Sequence, residues 1–84
     1  MLTKSADTLR ITHHTIQRIL ERTNAKDEAE AIGFAKHQYT AAKIVYKSHR
    51  YPDQLKIQND DTVLCYNEED HVIITCFISG HINL

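Results

Sequence analysis

Residues 53–79 read DQLKIQNDDTVLCYNEEDHVIITCFIS, and this stretch decides the fold. Leu55 and Ile57 alternate with polar residues, the two-residue period of a half-buried strand. Asn59-Asp60-Asp61 carries turn chemistry, because short polar side chains satisfy a tight backbone locally. Thr62–Tyr66 is then a second strand, Asn67–Asp70 a second turn and His71–Ser79 a third, longer strand. Turns this short join antiparallel neighbours, so the segment is expected to fold as a meander. Alternation sends Val63, Cys65, Val72, Ile74, Cys76 and Ile78 to one face, the expected seat of helices. The other face collects Thr62, Leu64, Tyr66, His71, Ile73, Thr75, Phe77 and Ser79. It mixes hydroxyl, imidazole and phenol groups with large apolar ones. Such a face is either covered by the 41–51 segment, paired with a second copy, or a working surface for a ligand or partner.

Upstream, the period changes to that of helices. Residues 1–7 read as a loose start, and Thr8–Ile11 as a short strand or an extended lead-in. Thr12 is a good N-cap for a helix over His13–Arg22, in which Ile16, Ile19 and Leu20 recur at helical spacing. Asp27 with Glu30 resembles a capping box and opens a second helix, Asp27 to about Tyr39. Ala29, Ile32, Ala35 and Tyr39 are expected to face the core. Gly33 weakens that helix by about 1 kcal/mol relative to Ala unless a small residue is needed for close approach. Beyond Tyr39 the pattern is two-sided. Ala41, Ala42 and Val45 extend the helical spacing, whereas Ile44-Val45 and the polar run Lys47–Arg50 weaken it, and Pro52 ends any helix. The expectation is one α+β domain over residues 1–84: a helical half over about 12–46, and a three- to four-stranded antiparallel sheet over about 54–79.

Composition sets bounds on function. The 84 residues carry a formal net charge of −1, with 42% hydrophobic and 25% charged residues. That balance suits a globular domain and lacks the basic excess on which tight phosphate binding rests. Cys65 and Cys76 lie in apolar runs. With a turn near Glu68-Glu69, Cys65 falls opposite Val72, and both thiols share a face without being opposed, which disfavours a bridge. No signal peptide, long apolar run or metal-ligand cluster is present, so a cytoplasmic protein with no metal, no cofactor and no membrane contact is expected.

The first helix carries the sharpest chemistry. His14, Arg18 and Arg22 stand four apart on one ridge, and Glu21 lies three after Arg18. A histidine exchanges protons near neutral pH, and two guanidinium groups can hold a phosphodiester and stabilise charge developing on it. Glu21 can fix an arginine or act as a second acid or base. The blander reading of the same residues is a solvated helix face with one ion pair. His13 falls nearer the apolar side and reads as a boundary packing residue.

The run Ile11-Thr12-His13-His14-Thr15-Ile16-Gln17-Arg18-Ile19-Leu20-Glu21-Arg22 resembles the I-T-x-H-x3-R-x2-E-R opening of small bacterial and prophage proteins. Some of these resemble the barnase–EndoU–colicin–RelE group of metal-independent RNases and toxins. His71–Phe77 is similar to the last strand of such proteins. The resemblance implies helices followed by an antiparallel sheet, with His14, Arg18 and Arg22 in phosphate or proton-transfer roles and Thr75 as the strand residue at the site.

Two readings follow. In the first, the chain is a small metal-independent endoribonuclease in which His14 is the general acid/base, Arg18 and Arg22 stabilise the transition state, and Thr75 or Tyr66 assists. RNA is then the partner. In the second, it is a non-catalytic phage or mobile-element protein that binds and modulates a host protein through Tyr66, Phe77 and the mixed sheet face; a homodimer is a further option. Lys47 and Arg50, with Lys43, His37, His49 and Tyr51, form a basic, aromatic-tinged edge suited to stacking on a base or docking on an acidic partner. His71 and His81 flank the last strand and are candidates to face a groove. The acids Asp60, Asp61, Glu68, Glu69 and Asp70 fall at the hairpin tips.

Overall fold

The structure is a computed structural model and describes residues 2–78. After a 3-10 turn at Ala6–Thr8 come β1 (Arg10–Ile11), α1 (His13–Arg22), α2 (Glu28–Thr40), β2 (Ile44–Lys47), β3 (Gln54–Asn59), β4 (Thr62–Asn67) and β5 (Val72–Ile78). The chain is α+β, with two helices on one face of a five-stranded sheet in the order β1-β5-β4-β3-β2. Strands β3 to β5 form the expected antiparallel meander, β2 adds a fourth antiparallel strand beside β3, and β1 runs parallel to β5. The sheet is therefore mixed and larger than the three to four antiparallel strands expected.

Both added strands are short. Ile44–Lys47 belongs to the sheet, so the helical part ends at Thr40 and not near residue 46. β2 also lies in the plane of the sheet, edge to edge with β3, and so does not cover the outer face. At β1, Arg10 and Ile11 gain strand character only because His71 and Ile73 offer carbonyls to the amides of Arg10 and Thr12, at 3.0 and 3.1 Å.

The face assignment on β4 needs correction. Leu64 and Tyr66 point into the core with Ile57, Ile73 and Cys76, leaving Val63 and Cys65 on the opposite face. A β-bulge is the cause. Tyr66 pairs with Ile73 but Cys65 pairs with Thr75, so Ile74 is an extra residue on β5. Without it Val63 would oppose Cys76; with it Leu64 does. Ile73 and Cys76 thus both turn inward although three residues apart. The two thiols are free and lie on opposite faces, with Cys65 opposite Thr75 rather than Val72.

The start of α1 holds this bulge in place. Thr12 caps the helix, accepting from the Thr15 amide at 3.2 Å, and donates its hydroxyl to the Ile74 carbonyl at 2.9 Å. Thr15, fully buried, sends its own hydroxyl to the Ile73 carbonyl at 3.3 Å. Ile16 and Ile19 then seat the helix on the sheet. His13 is exposed and is not a packing residue.

In α2 Asp27 caps the helix, its Oδ1 accepting from the Glu30 amide at 2.9 Å. Glu30 Oε1, however, reaches one residue past the expected capping box and accepts from the Lys26 amide at 2.8 Å. The buried residues are Ala31, Ala35 and Tyr39, whereas Ala29 is exposed and Ile32 half-buried. Gly33 needs no close approach, since a methyl group there would meet nothing within 4 Å.

The amino-terminal segment is tied down rather than loose. The Tyr39 hydroxyl donates to the Lys4 carbonyl, His71 Nε2–H donates to the Ser5 carbonyl, and Lys4 Nζ donates to the Glu68 carbonyl, each at 2.7 Å.

Candidate functional site

The residues singled out from the sequence fall in separate places. His14, Glu21 and Arg22 are exposed on α1, in the helical layer. Arg18 is half-buried beside β5, its Nε enclosed without a hydrogen-bond partner among the described residues. It lies close enough to Cys76 to oppose the rise in that thiol's pKa. Burial is stronger, and the thiol is pushed up to about 11. Thr75 and Phe77 stand on the other side of the sheet, facing away from the helices. The α1 ridge and the Thr75 face therefore do not line one pocket.

Tyr66 and His71 are not on a surface. Tyr66 is fully buried, and its hydroxyl lies 2.7 Å from His71 Nδ1. Tyr39 packs edge-on to both rings, with centroids 5.3 and 5.6 Å away. The three rings anchor the amino-terminal segment, and both Tyr66 and His71 are buried in that anchor. Lys47 and Arg50 are exposed at the β2 edge and the loop after it, where the Arg50 guanidinium lies 6.0 Å from the Tyr51 ring centroid. His81 and Ser79 lie outside the described residues.

What the fold does assemble is the outer face of the sheet. Its register sets two cross-strand rows: Tyr46, Lys56, Cys65 and Thr75, then Ile44, Gln58, Val63 and Phe77. Ile44 is 53% exposed, Phe77 50% and Tyr46 43%. Tyr51, in the loop after β2, is the other large hydrophobic exposed among the described residues. Lys56 crosses the centre of this face. Its ammonium donates to Cys65 Sγ at 3.3 Å and lies 5.5 Å from the Phe77 ring centroid, in cation–π range. Acids cluster at both ends: Asp60 and Asp61 in the β3–β4 turn, and Glu68, Glu69 and Asp70 in the β4–β5 turn.

Ile44, Tyr46, Lys56 and Val63 escaped the sequence reading as surface residues. The available signal was Ile44-Val45-Tyr46-Lys47, whose alternation puts two large hydrophobic residues, Ile44 and Tyr46, on one face.

Two concavities lie elsewhere. An apolar groove of about 630 Å3 runs between Leu2, Ala6, Tyr39, Ala42 and Val45. The polar side chains on it are engaged: Lys4 on backbone carbonyls, Lys43 on Asp60 at 2.8 Å, and Tyr39 on the Lys4 carbonyl. A polar cleft of about 520 Å3 lies between the end of α1, α2 and the β3–β4 turn, bordered by Arg22, His37, Asp60 and Asp61. Its Asn59 and Gln38 side chains hydrogen-bond each other at 2.8 Å. Among the described residues, no group of three or more His, Cys, Asp or Glu is arranged to hold a metal ion, and no helix is long and apolar enough to cross a membrane. No protein-family model matches this chain, and no curated protein or solved structure matches it either.

Proposed function

We propose that this chain is a non-catalytic binding domain that docks a protein partner through the open outer face of its sheet. The observation that carries this reading is the row geometry: Ile44, Tyr46, Val63 and Phe77 share one uncovered face, with Lys56 at its centre. A sheet needs only one buried face to fold, and here the core cluster lies on the helix side, although Cys65 is buried on the other under Lys56. Large apolar groups left on the second face cost solubility unless something covers them. Aromatic side chains around a single cation are the composition of a protein-contact core. A nucleic acid fits this face less well, because its backbone would meet carboxylates at both ends and one lysine between them. The fitting partner offers an apolar patch carrying a carboxylate for Lys56.

Site-specific photocrosslinking in cells tests this. A photoreactive side chain at position 77 should capture a discrete protein, and Lys56→Glu should abolish capture. A crosslinker at position 14 on α1 should capture nothing in common. Capture indifferent to Lys56→Glu, or adducts with RNA alone, would end the reading.

A second reading keeps the ribonuclease hypothesis on the α1 ridge alone. It rests on Arg18, whose enclosed Nε leaves part of a guanidinium without a partner among the described residues beside exposed His14. Metal-free RNA cleavage across pH 5 to 8, abolished by both His14→Ala and Arg18→Ala, would establish it. Intact RNA throughout that range would dismiss it.

A further inference from the structure

We infer that β2 is a homodimerisation edge, at which a second copy adds its own β2 antiparallel about a two-fold axis at Val45, producing one continuous ten-stranded sheet. The two ends of the sheet differ. One is closed by the two-residue β1 and the start of α1, whereas the other is the four-residue β2, Ile44-Val45-Tyr46-Lys47. β2 contains neither a proline nor a charge before its last residue, the usual devices that blunt an exposed edge.

The backbone sets the register. The Ser48 amide donates to the Gln54 carbonyl at 3.1 Å, so by alternation Ile44 and Tyr46 turn their backbone groups toward β3. Val45 and Lys47 then present their N–H and C=O groups to the outside. A two-fold axis at Val45 lets the two Val45 residues exchange both hydrogen bonds. It also sets Ile44 opposite Tyr46 of the second copy, and Tyr46 opposite its Ile44. The two most exposed apolar side chains of β2 thereby cover each other on the outer face. Shifting the axis to Tyr46 would instead oppose Val45 to Lys47, an apolar against a charged side chain.

Charge agrees with this register. The start of β2 is flanked by Asp60, which holds Lys43 at 2.8 Å. Its end carries Lys47 and, in the following loop, His49, Arg50 and Asp53. Antiparallel pairing brings each acid-flanked start against the basic end of the other copy. Lys47 of the second copy arrives opposite a Lys43 that Asp60 already neutralises.

Analytical ultracentrifugation of the full chain over a wide concentration range tests this. The wild type should move from 9.7 kDa to twice that mass. Hydrogen exchange at the Val45 and Lys47 amides should slow as concentration rises. Val45→Pro removes an outward donor together with the half-buried packing of Val45 on the core, and circular dichroism should show that the resulting monomer stays folded. Tyr46→Lys, at a partly exposed position, should do the same without touching the backbone. Phe77→Ala should leave association unchanged, which separates this inference from the proposed partner face. A wild type that stays monomeric at the highest concentration would overturn the inference. So would a dimer that survives Tyr46→Lys.

Discussion

The Tyr66 hydroxyl lies 2.7 Å from Nδ1 of His71, and His71 Nε2 lies 2.7 Å from the Ser5 carbonyl. The carbonyl can only accept, so Nε2 carries the proton, and in the neutral ring Nδ1 accepts from Tyr66. The imidazole thus bridges β4 to a segment more than sixty positions earlier in the chain. Tyr66→Phe leaves Nδ1 buried without its donor while keeping the ring packing. Urea denaturation should show a loss of about 1–3 kcal/mol, with faster exchange in the amino-terminal segment.

Alkaline pH should destabilise the fold through two buried acids. Burial raises the Cys76 thiol from 9.0 to about 11, and burial followed by Tyr39 raises the Tyr66 phenol above its ordinary value. Both groups ionise more readily in the unfolded chain, so the stability each contributes is complete below its unfolded pKa. For Cys76 it is lost as pH climbs from about 9 to about 11. Unfolding free energies measured at pH 8, 9, 10 and 11 should therefore fall, and Cys76→Ala should flatten the first part of that decline.

Thr15→Val tests the link between α1 and the bulge. Valine matches the shape of threonine but cannot donate to the Ile73 carbonyl or share the Thr12 hydroxyl 2.9 Å away. A cost of about 1–2 kcal/mol in urea denaturation is expected. Thr12→Val should cost at least as much, since it removes both the cap and the bond to Ile74.

Gly33→Ala should stabilise the protein by about 0.5–1 kcal/mol in thermal or urea unfolding. The position is helical and exposed, with nothing near enough to clash. A loss of stability would mean that Gly33 meets something its surroundings here do not include.

Helices, caps and the β3–β5 meander were legible because each has a local cause: Thr12 and Asp27 as caps, period 3.6 before Tyr39, and period two after Asp53. What escaped depends on distant partners. Arg10 and Ile11 are a strand only beside Val72 and Ile73, and β2 is too short for its alternation to outweigh the adjoining helical pattern. The extra residue Ile74 leaves no mark in the sequence, since Val72–Ile78 reads as continuous strand. That one residue reversed the reading of Leu64 and Tyr66, and so moved Tyr66 from the candidate surface into the core. His14, Arg18 and Arg22 do follow one another along α1, as their spacing requires. Their distance from Thr75 is set by which face the helix occupies, which spacing does not encode.

Among the described residues, two that are not glycine have positive φ, Asp60 at 56° and His71 at 53°, and their substitution should separate backbone strain from side-chain work. The left-handed conformation costs an ordinary residue about 1–2 kcal/mol, which glycine avoids. Asp60→Gly loses only an exposed ion pair to Lys43, a contribution of about 0–1 kcal/mol. It should leave stability unchanged or raise it slightly. His71→Gly gains the same backbone relief but removes two buried hydrogen bonds and edge contacts with Tyr39 and Tyr66. Two such bonds outweigh the relief, so equilibrium unfolding should show a net loss of about 2 kcal/mol or more. If both variants were equally stable, the imidazole would hold nothing, and the anchoring of Ser5 would have to rest on Tyr39 alone.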